Sequence, residues 1–483
     1  MSRKSNHTGL KAVLILLILV LLAGSILMVK LSLDLAGAPV ETKPSASVIE
    51  LPTASEAETV PETEPTTVPT EPEPEKIIAT ATISSQGDLL MHSPVFNSCK
   101  QADGTYDFES IFRYTKDTLA SVDYSVANLE TTFGGPNHPH VNNKSFSCPD
   151  ELAADAKEAG YDMLLTANNH SGDTTGEGLI RTLEVTRAAG LETLGSQMPG
   201  EKRYSIVEIY GIRIGMVAYT WSCKATDKDF SLNGLLPIAD EGQMNYFTNA
   251  NPQKLYTEAE QIMADMNAEG VDATMMFIHW GNEYEIRENR IQREIAQKLC
   301  DLGFDVIVGG HAHVVQPMAL LESTVDPEHK TVCIYSLGNA VSNQRTGVSD
   351  LFPAGYTEDG VIFNVSFEKY SDGNVYLSSV EVIPTWVNMH TNNGSREYNI
   401  LPLKEHEIGQ WDADFGLQNN QHASAKKSYE RTMGILNEGL QQVQDYLNQQ
   451  ATQRTAYYEN LAKGILPAQT ETTEPPATEA DAA

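Results

Sequence analysis

The chain has 483 residues and sets 33 Lys and Arg against 65 Asp and Glu, a formal net charge of −32. So acidic a balance excludes a general nucleic-acid binder, which needs a Lys/Arg surface. Five cysteines, none in a CxxC spacing, exclude a disulfide-dense or zinc-ribbon scaffold. The odd cysteine count leaves at least one thiol free unless it pairs between chains, and whether Cys99 and Cys148 pair stays open.

Residues 1–11 carry Arg3, Lys4 and Lys11 and no acid, and residues 12–29 are an uncharged apolar run. As a helix that run is about 27 Å long, close to the hydrocarbon thickness of a bilayer. The positive-inside rule then predicts a single-pass anchor with a cytoplasmic N-terminus and the bulk of the chain outside the cytoplasm. A signal peptide cleaved after Ala38 is the competing reading, on the small-x-small form of Ala36-Gly37-Ala38. The segment 34–76 follows, with eight Pro and nine Glu between residues 39 and 76. It cannot bury enough apolar surface to offset its ordering entropy, which predicts a disordered, self-repelling stalk. Residues 465–483 have the same acidic character and predict a disordered tail.

Between them, residues 77–395 read as one folded domain. Strands are predicted at 77–84, 124–129, 161–166, 274–278 and 304–308. Helices are predicted at 108–122, 149–160, 178–190 and 287–303, the last from Ile291, Ile295 and Leu299 at i, i+4, i+8. The alternation indicates layered α/β structure. A hairpin is predicted over 205–220, turning at Tyr210-Gly211, and strands without long helices between them at 331–336, 361–368 and 375–382. These later strands predict antiparallel or mixed pairing. Residues 396–464 read as a polar connection and then a helix from about 423, with Met433, Leu436, Leu440, Val443 and Leu447 in 3,4 spacing. That stripe predicts packing on the domain, a short coiled coil being the alternative.

The chemistry lies at the carboxyl ends of the predicted strands, where ligands bind in layered sheets. Successive strands end in Gly87-Asp88 with His92 beyond, in Asn128-Leu129-Glu130, in Asn168-Asn169-His170 with Asp173, in His279-Trp280-Gly281-Asn282-Glu283-Tyr284, in His311-Ala312-His313, and in Gly338-Asn339. His311 and His313, at i and i+2 of an extended segment, would face one side. Each feature alone is ordinary, but acids, amides and imidazoles on one rim need partners there. Imidazole, carboxylate and amide without thiolate suit Mn, Fe(II) or Zn, and a set this large suits two ions, which would also offset the repulsion between the acids. Because imidazole binds metal only when neutral, activity is expected to fall below about pH 6.5. His138 and His140 read as an ordinary surface loop.

Taken in order, GD-LLMH at 87–92, ANLE at 127–130, ANNH with Asp173 at 167–173, HWGNEY at 279–284, GGHAHVVQP at 309–317 and YSLGN at 335–339 resemble the CapA family of poly-γ-glutamate capsule synthesis, itself related to calcineurin-like metallophosphoesterases. The resemblance implies a four-layer metallophosphatase-like sandwich with mixed sheets, after one transmembrane helix and a disordered stalk and before a C-terminal helix. It implies metal ligation by Asp88, Glu130, Asn169, His279, His311 and His313, with Glu130 bridging, His279 and His311 on one ion and His313 on the other. His170 would protonate the leaving group, and Asn128, Glu283, Tyr284 and Asn339 would contact substrate. The chain departs from the superfamily pattern in having His92 four residues after Asp88 rather than two, and NLE in place of the usual bridging aspartate. The implied protein sits in a bacterial cell membrane and takes part in capsule or poly-γ-glutamate biosynthesis or export, as a metal-dependent hydrolase or transferase acting on an acidic surface polymer or its precursor. The alternative is a non-catalytic, polymer-binding partner of capsule-synthesis membrane proteins, with Lys144, Lys224, Lys228, Arg287 and Arg290 as candidate contacts.

Overall fold

The computed structural model describes residues 76–140, 145–222, 232–233, 243–249, 251–352 and 354–463. No helix among them is long and apolar enough to cross a membrane, which overturns the expectation of a single-pass protein of the cell membrane. The longest helix, at 421–462, carries charged side chains along its length and packs on the domain. The segment 12–29 that carried the expectation, the stalk up to residue 75, the tail 465–483, and Lys144, Lys224 and Lys228 lie outside the described residues.

Two mixed sheets form the centre. The first contains β1 (Ile77–Leu89), β2 (Tyr124–Asn128), β3 (Met163–Leu165), β4 (Glu192–Leu194), β12 (Asn339–Val341), β13 (Asp359–Tyr370), β14 (Val375–Asn392) and β15 (Ser395–Pro402). Its order is β15-β14-β13-β1-β2-β3-β4, with β12 paired to the end of β1. β1 to β4 run parallel, while β13, β14 and β15 are antiparallel additions. The second sheet contains β5 (Ser205–Ile209), β6 (Ile212–Ser222), β7 (Tyr246–Thr248), β8 (Ala273–His279), β9 (Val306–Gly310), β10 (Val315–Glu322) and β11 (Lys330–Leu337). Its order is β10-β11-β9-β8-β6-β5, with β7 beside β6.

Alternation along the strands dictates the layering, because successive side chains leave opposite faces. Met216 and Ala218, Met275 and Phe277, Val306 and Val308 enter a core that they share with Ile83, Val126, Phe363 and Val365 of the first sheet. Their neighbours Val217, Tyr219, Met276, Ile278 and Ile307 face the opposite way, onto α6 (Gln253–Ala268) and α7 (Arg290–Asp301). The outer face of the first sheet is covered by α1 (Ser93–Ser98), α2 (Glu109–Phe112), α3 (Lys116–Ala120) and α4 (Glu151–Ala159), with α5 (Thr175–Ala188) beside them. The result is helices, sheet, sheet, helices. The helix expected over 108–122 is broken into α2 and α3 by a turn at Arg113–Thr115.

The polar connection expected from 393 begins instead with β15, which pairs with β14 from Asn392↔Ser395 to Thr385↔Pro402. The turn between them is Asn393-Gly394, both with positive φ, the pairing that closes a two-residue hairpin. The expected boundary after 395 therefore falls inside a sheet. After α8 (Trp411–Asp414), α9 (Gln421–Ala462) lies against β10 and β14. Leu436, Leu440, Val443 and Leu447 join the core between the sheets, so α9 packs on the domain, as its stripe predicted. Each such burial contributes roughly 2 kcal/mol.

Cys99, Cys148, Cys300 and Cys333 are all buried free thiols, which answers the question of a 99–148 bridge.

Candidate metal centre

The parallel strands of both sheets end at one rim. Asp88 at the end of β1 is in register with Asn128 on β2 and Asn339 on β12. His279 at the end of β8 is in register with Gly310 on β9. Gly87 is obligatory where β1 passes the 337–339 segment, since a Cβ there would lie 1.8 Å from Gly338 O.

Glu130 is the centre of the cluster. It is 0% exposed, and neither carboxylate oxygen has a hydrogen-bond partner. Two sets of ligand atoms converge on it, Glu130 with His279 and His311, and Glu130 with Asp88 and His313, each set within 4.8 Å. Glu130 Oε1 lies 3.6 Å from His279 Nε2, 3.7 Å from His313 Nε2 and 4.0 Å from His170 Nε2. Asn169 Oδ1 is 2.7 Å and His311 Nδ1 3.1 Å from His279 Nε2. An orphaned buried carboxylate shared by two convergent residue sets, with imidazole and carboxamide oxygen around it, is a donor set that fits hard-to-borderline divalent cations.

His311 and His313 do reach one cluster, but not from an extended strand. Their φ values are +88° and +55°, so β9 has already ended and the backbone turns left-handed at both. One imidazole thereby reaches His279 and the other Asp88, with ring centroids 6.0 Å apart. Tyr284 has φ +67°. Non-glycine residues held this way cost about 1–3 kcal/mol each and gather where geometry serves a site.

Asn128 and Asn339, expected at the substrate, have their amides turned to Asp88 and His313 instead. Asn128 Nδ2 donates to Asp88 Oδ1 at 2.8 Å, and Asn339 Oδ1 sits 3.1 Å from His313 Nδ1. Behind Asn128 stands Asn168, whose Nδ2 donates to Asn128 Oδ1 (3.0 Å) and Leu129 O (2.8 Å). Asn233 Oδ1 accepts from Asn169 Nδ2 at 3.0 Å. Asn233 sits far from any strand end in the sequence, and no local signal marks it.

A cleft of about 450 Å³ opens over the cluster, lined by His170, His313, Asn169, Glu283, Tyr284, Gln344, His92, Phe146 and Phe352 among others. Among the described lining residues there is no Lys or Arg. His170 Nδ1 lies 2.8 Å from Asp173 Oδ2, which aims Nε2 at the cluster. Trp280 is core, its Nε1 donating to Tyr335 O at 2.9 Å. His140 packs on Phe96 and Tyr106 in the surface loop, as expected.

Burial, with His311 and His313 next, holds His279 well below the usual imidazole range, and burial with His313 does the same to His311. His92 is pushed down to about 4 by burial and by His313. These imidazoles stay neutral below pH 6.5, so the activity loss expected there does not come from them. Glu130 goes the other way, raised well above the carboxylate range by burial and by Asp88 and Glu283. Burial alone would lower His313, but its hydrogen bond to Asp88 and that carboxylate's charge leave it raised.

A stability signature follows. Glu130 and His313 bind their protons more tightly in the folded than in the unfolded chain, so their contribution is lost as pH rises through their folded values. His279 and His311 act oppositely, but only below about pH 6.5, where unfolded imidazole is still protonated. As pH rises above about 6.5, protein in chelator is therefore expected to melt at progressively lower temperature. With excess divalent cation, which displaces those protons, the trend should reverse. Melting curves in both buffers check this, and a pH-independent curve in chelator would contradict the assignment.

All of these cluster residues fall within residues 82–344, which match the family described as bacterial capsule synthesis protein PGA_cap. The chain belongs to this family. It is similar to the capsule biosynthesis protein CapA of Bacillus anthracis, 26% identical over 270 residues, 54% of this chain and 60% of that protein. It is likewise similar to the PGA biosynthesis protein CapA of Bacillus subtilis strain 168, 26% identical over 274 residues, 53% of this chain and 62% of that one. The chain thus spans less than two thirds of the length of these curated relatives. Among solved structures, the NAD nucleotidase NadN of Haemophilus influenzae is similar at a TM-score of 0.38 and 12% identity, over 80% of this chain and 60% of that one. α9 lies beyond the span that matches PGA_cap.

Proposed function

We propose that this PGA_cap protein is a metal-dependent hydrolase or transferase of the metallophosphatase type, acting in capsule or poly-γ-glutamate biosynthesis on a phosphorylated or amide-linked polymer precursor. One observation carries the reading: Glu130, fully buried with both oxygens unpartnered, stands between two convergent ligand sets. Asp88, Glu130 and His313 would hold one cation, and Glu130, His279, His311 and the Asn169 carboxamide the other. Such a pair supplies Lewis acidity at an electrophilic centre and lowers the pKa of water there. The chain's own residues do the rest. Asn128 and Asn339 fix Asp88 and His313. His170, oriented by Asp173, presents Nε2 to pass a proton to a leaving group. Phe146, Tyr284 and Phe352 line the cleft with aromatic rings, and Glu283 at its edge contacts the substrate's flank.

The polymer-binding alternative has less support. Of its candidate cations among the described residues, Arg290 is paired with Glu294 at 2.5 Å. Arg287 lies by a separate groove beside α9.

Reconstitution with Mn²⁺ or Zn²⁺, followed by metal analysis and assay on phosphodiester and γ-glutamyl amide substrates, tests the proposal. Close to two ions per chain and turnover that chelation stops are expected. A protein that takes up no transition metal, or turnover indifferent to chelator, would sink it.

A further inference from the structure

The residues after β12 support the metal centre from behind. Asn339 Nδ2 donates to Thr357 O at 3.0 Å, His313 O at 3.2 Å and Gln344 Oε1 at 3.2 Å. These acceptors settle which end of the amide is oxygen, and Oδ1 faces His313 Nδ1. With Asp88 Oδ2 also 3.1 Å away, His313 Nδ1 meets two acceptors and so carries the proton. Its Nε2 is left as a bare lone pair on the Glu130 side. A partner on the far nitrogen sets the tautomer and orientation of a ligating imidazole in this way.

Thr357 lies in the short 3₁₀ turn Tyr356–Glu358, and Arg431 of α9 grips that turn at both ends. Its Nη2 donates to Gly355 O at 3.1 Å on one side. On the other, Nε and Nη2 hold the Asp359 carboxylate at 2.7 and 2.6 Å, and Ser428 Oγ adds a third bond at 2.6 Å. Asp359 is 2% exposed, and a Cβ on Gly355, whose φ is +82°, would lie 2.7 Å from Arg431 Cζ.

We propose that Arg431 is a positioning residue for the His313 half of the metal centre: by clamping the 356–358 turn it sets Asn339, and through Asn339 the tautomer of His313. The inference rests on the metal-centre reading above and deepens it, since it ties the site to a helix outside the PGA_cap span. The forked, bidentate hold on Asp359 belongs to guanidinium, and a lysine ammonium does not reproduce it.

The test is Co²⁺ titration of the full chain, read by calorimetry and by the visible absorption of the bound ion. Wild type is expected to take two ions. In Arg431→Gln one of the two affinities should fall about tenfold to a hundredfold with an altered cobalt band, the other staying within about twofold. Arg431→Lys should recover only part of the loss. Ser428→Ala, which removes one bond to Asp359 and keeps the arginine, should weaken the same site by a smaller factor, and it alone decides if Arg431→Gln does not fold. Two unchanged affinities would overturn the proposal. So would equal weakening of both sites in Ser428→Ala, which would mark a general support of the fold. A wild type that binds no cobalt brings down the metal-centre reading itself, so the two failures are distinct.

Discussion

Glu130→Met is expected to abolish cation binding at both half-sites and to raise the melting temperature of the chelator-treated protein. The two effects share one cause. Glu130 is common to both sets and the one carboxylate of the second, so its loss leaves Asp88 with His313 on one side and only the neutral His279, His311 and Asn169 on the other, too little negative charge to hold either ion. In the absence of a cation the same carboxylate is a liability, buried completely and without a hydrogen-bond partner. Methionine keeps the volume and removes the polar head. A buried polar group left without a hydrogen-bond partner costs about 1–3 kcal/mol, which its replacement by an apolar side chain recovers. In a domain of this size that is a shift of several degrees, and metal analysis alongside calorimetric melting reads both effects. A variant that still binds two ions contradicts the shared-ligand assignment. One that melts lower in chelator shows that Glu130 has a structural partner after all.

That such a residue was visible in the sequence, while its supports were not, follows from how each is encoded. Asp88, His279 and the 311–313 pair stand directly after apolar strands, and the rule that sites form at strand ends places them on one rim without coordinates. The layering was legible for a related reason, since Met216/Val217 and Met275/Met276 alternate between faces with period 2. What fails is any inference that assumes local geometry. His311 and His313 were expected on an extended segment, whereas the left-handed turn after Gly310 sends them to different halves of the cluster. Asn128 and Asn339 were expected at the substrate from the family resemblance. Both are buried, and their hydrogen bonds go to Asp88 and His313, which only tertiary packing decides. Asn393-Gly394 is a hairpin signal in its own right, yet in a polar stretch it read as a connection, and β15 was lost with it. Arg431 and Asp359 are 72 residues apart, and no periodicity links a charge on a helix stripe to one opening a strand. The apolar run at 12–29 is legible as hydropathy, but no helix among the described residues supports an anchor.

Replacing His170 by alanine should slow turnover by about 10²–10⁴-fold on substrates with alkoxide or amine leaving groups. On a p-nitrophenolate leaving group, which departs without a proton, the loss should be about tenfold or less. The geometry supports this contrast. His170 Nε2 is 4.0 Å from Glu130 Oε1, while Nδ1 is engaged by Asp173 Oδ2, which also accepts from Phe146 N at 2.5 Å. Asp173 thus holds Nδ1 and leaves Nε2 as the nitrogen that passes a proton to the leaving group. Asp173→Asn should then lose about 10–100-fold on the poor leaving groups, because a neutral amide oxygen is a weaker acceptor and holds Nδ1, and with it the ring, less firmly. Metal stoichiometry should not change in either variant, since His170 belongs to neither ligand set. The comparison separates two roles that a single rate would confuse. If His170 only oriented substrate or cation, its removal would slow good and poor leaving groups alike. Only a proton donated in the rate-limiting step makes the penalty scale with the basicity of the group that leaves.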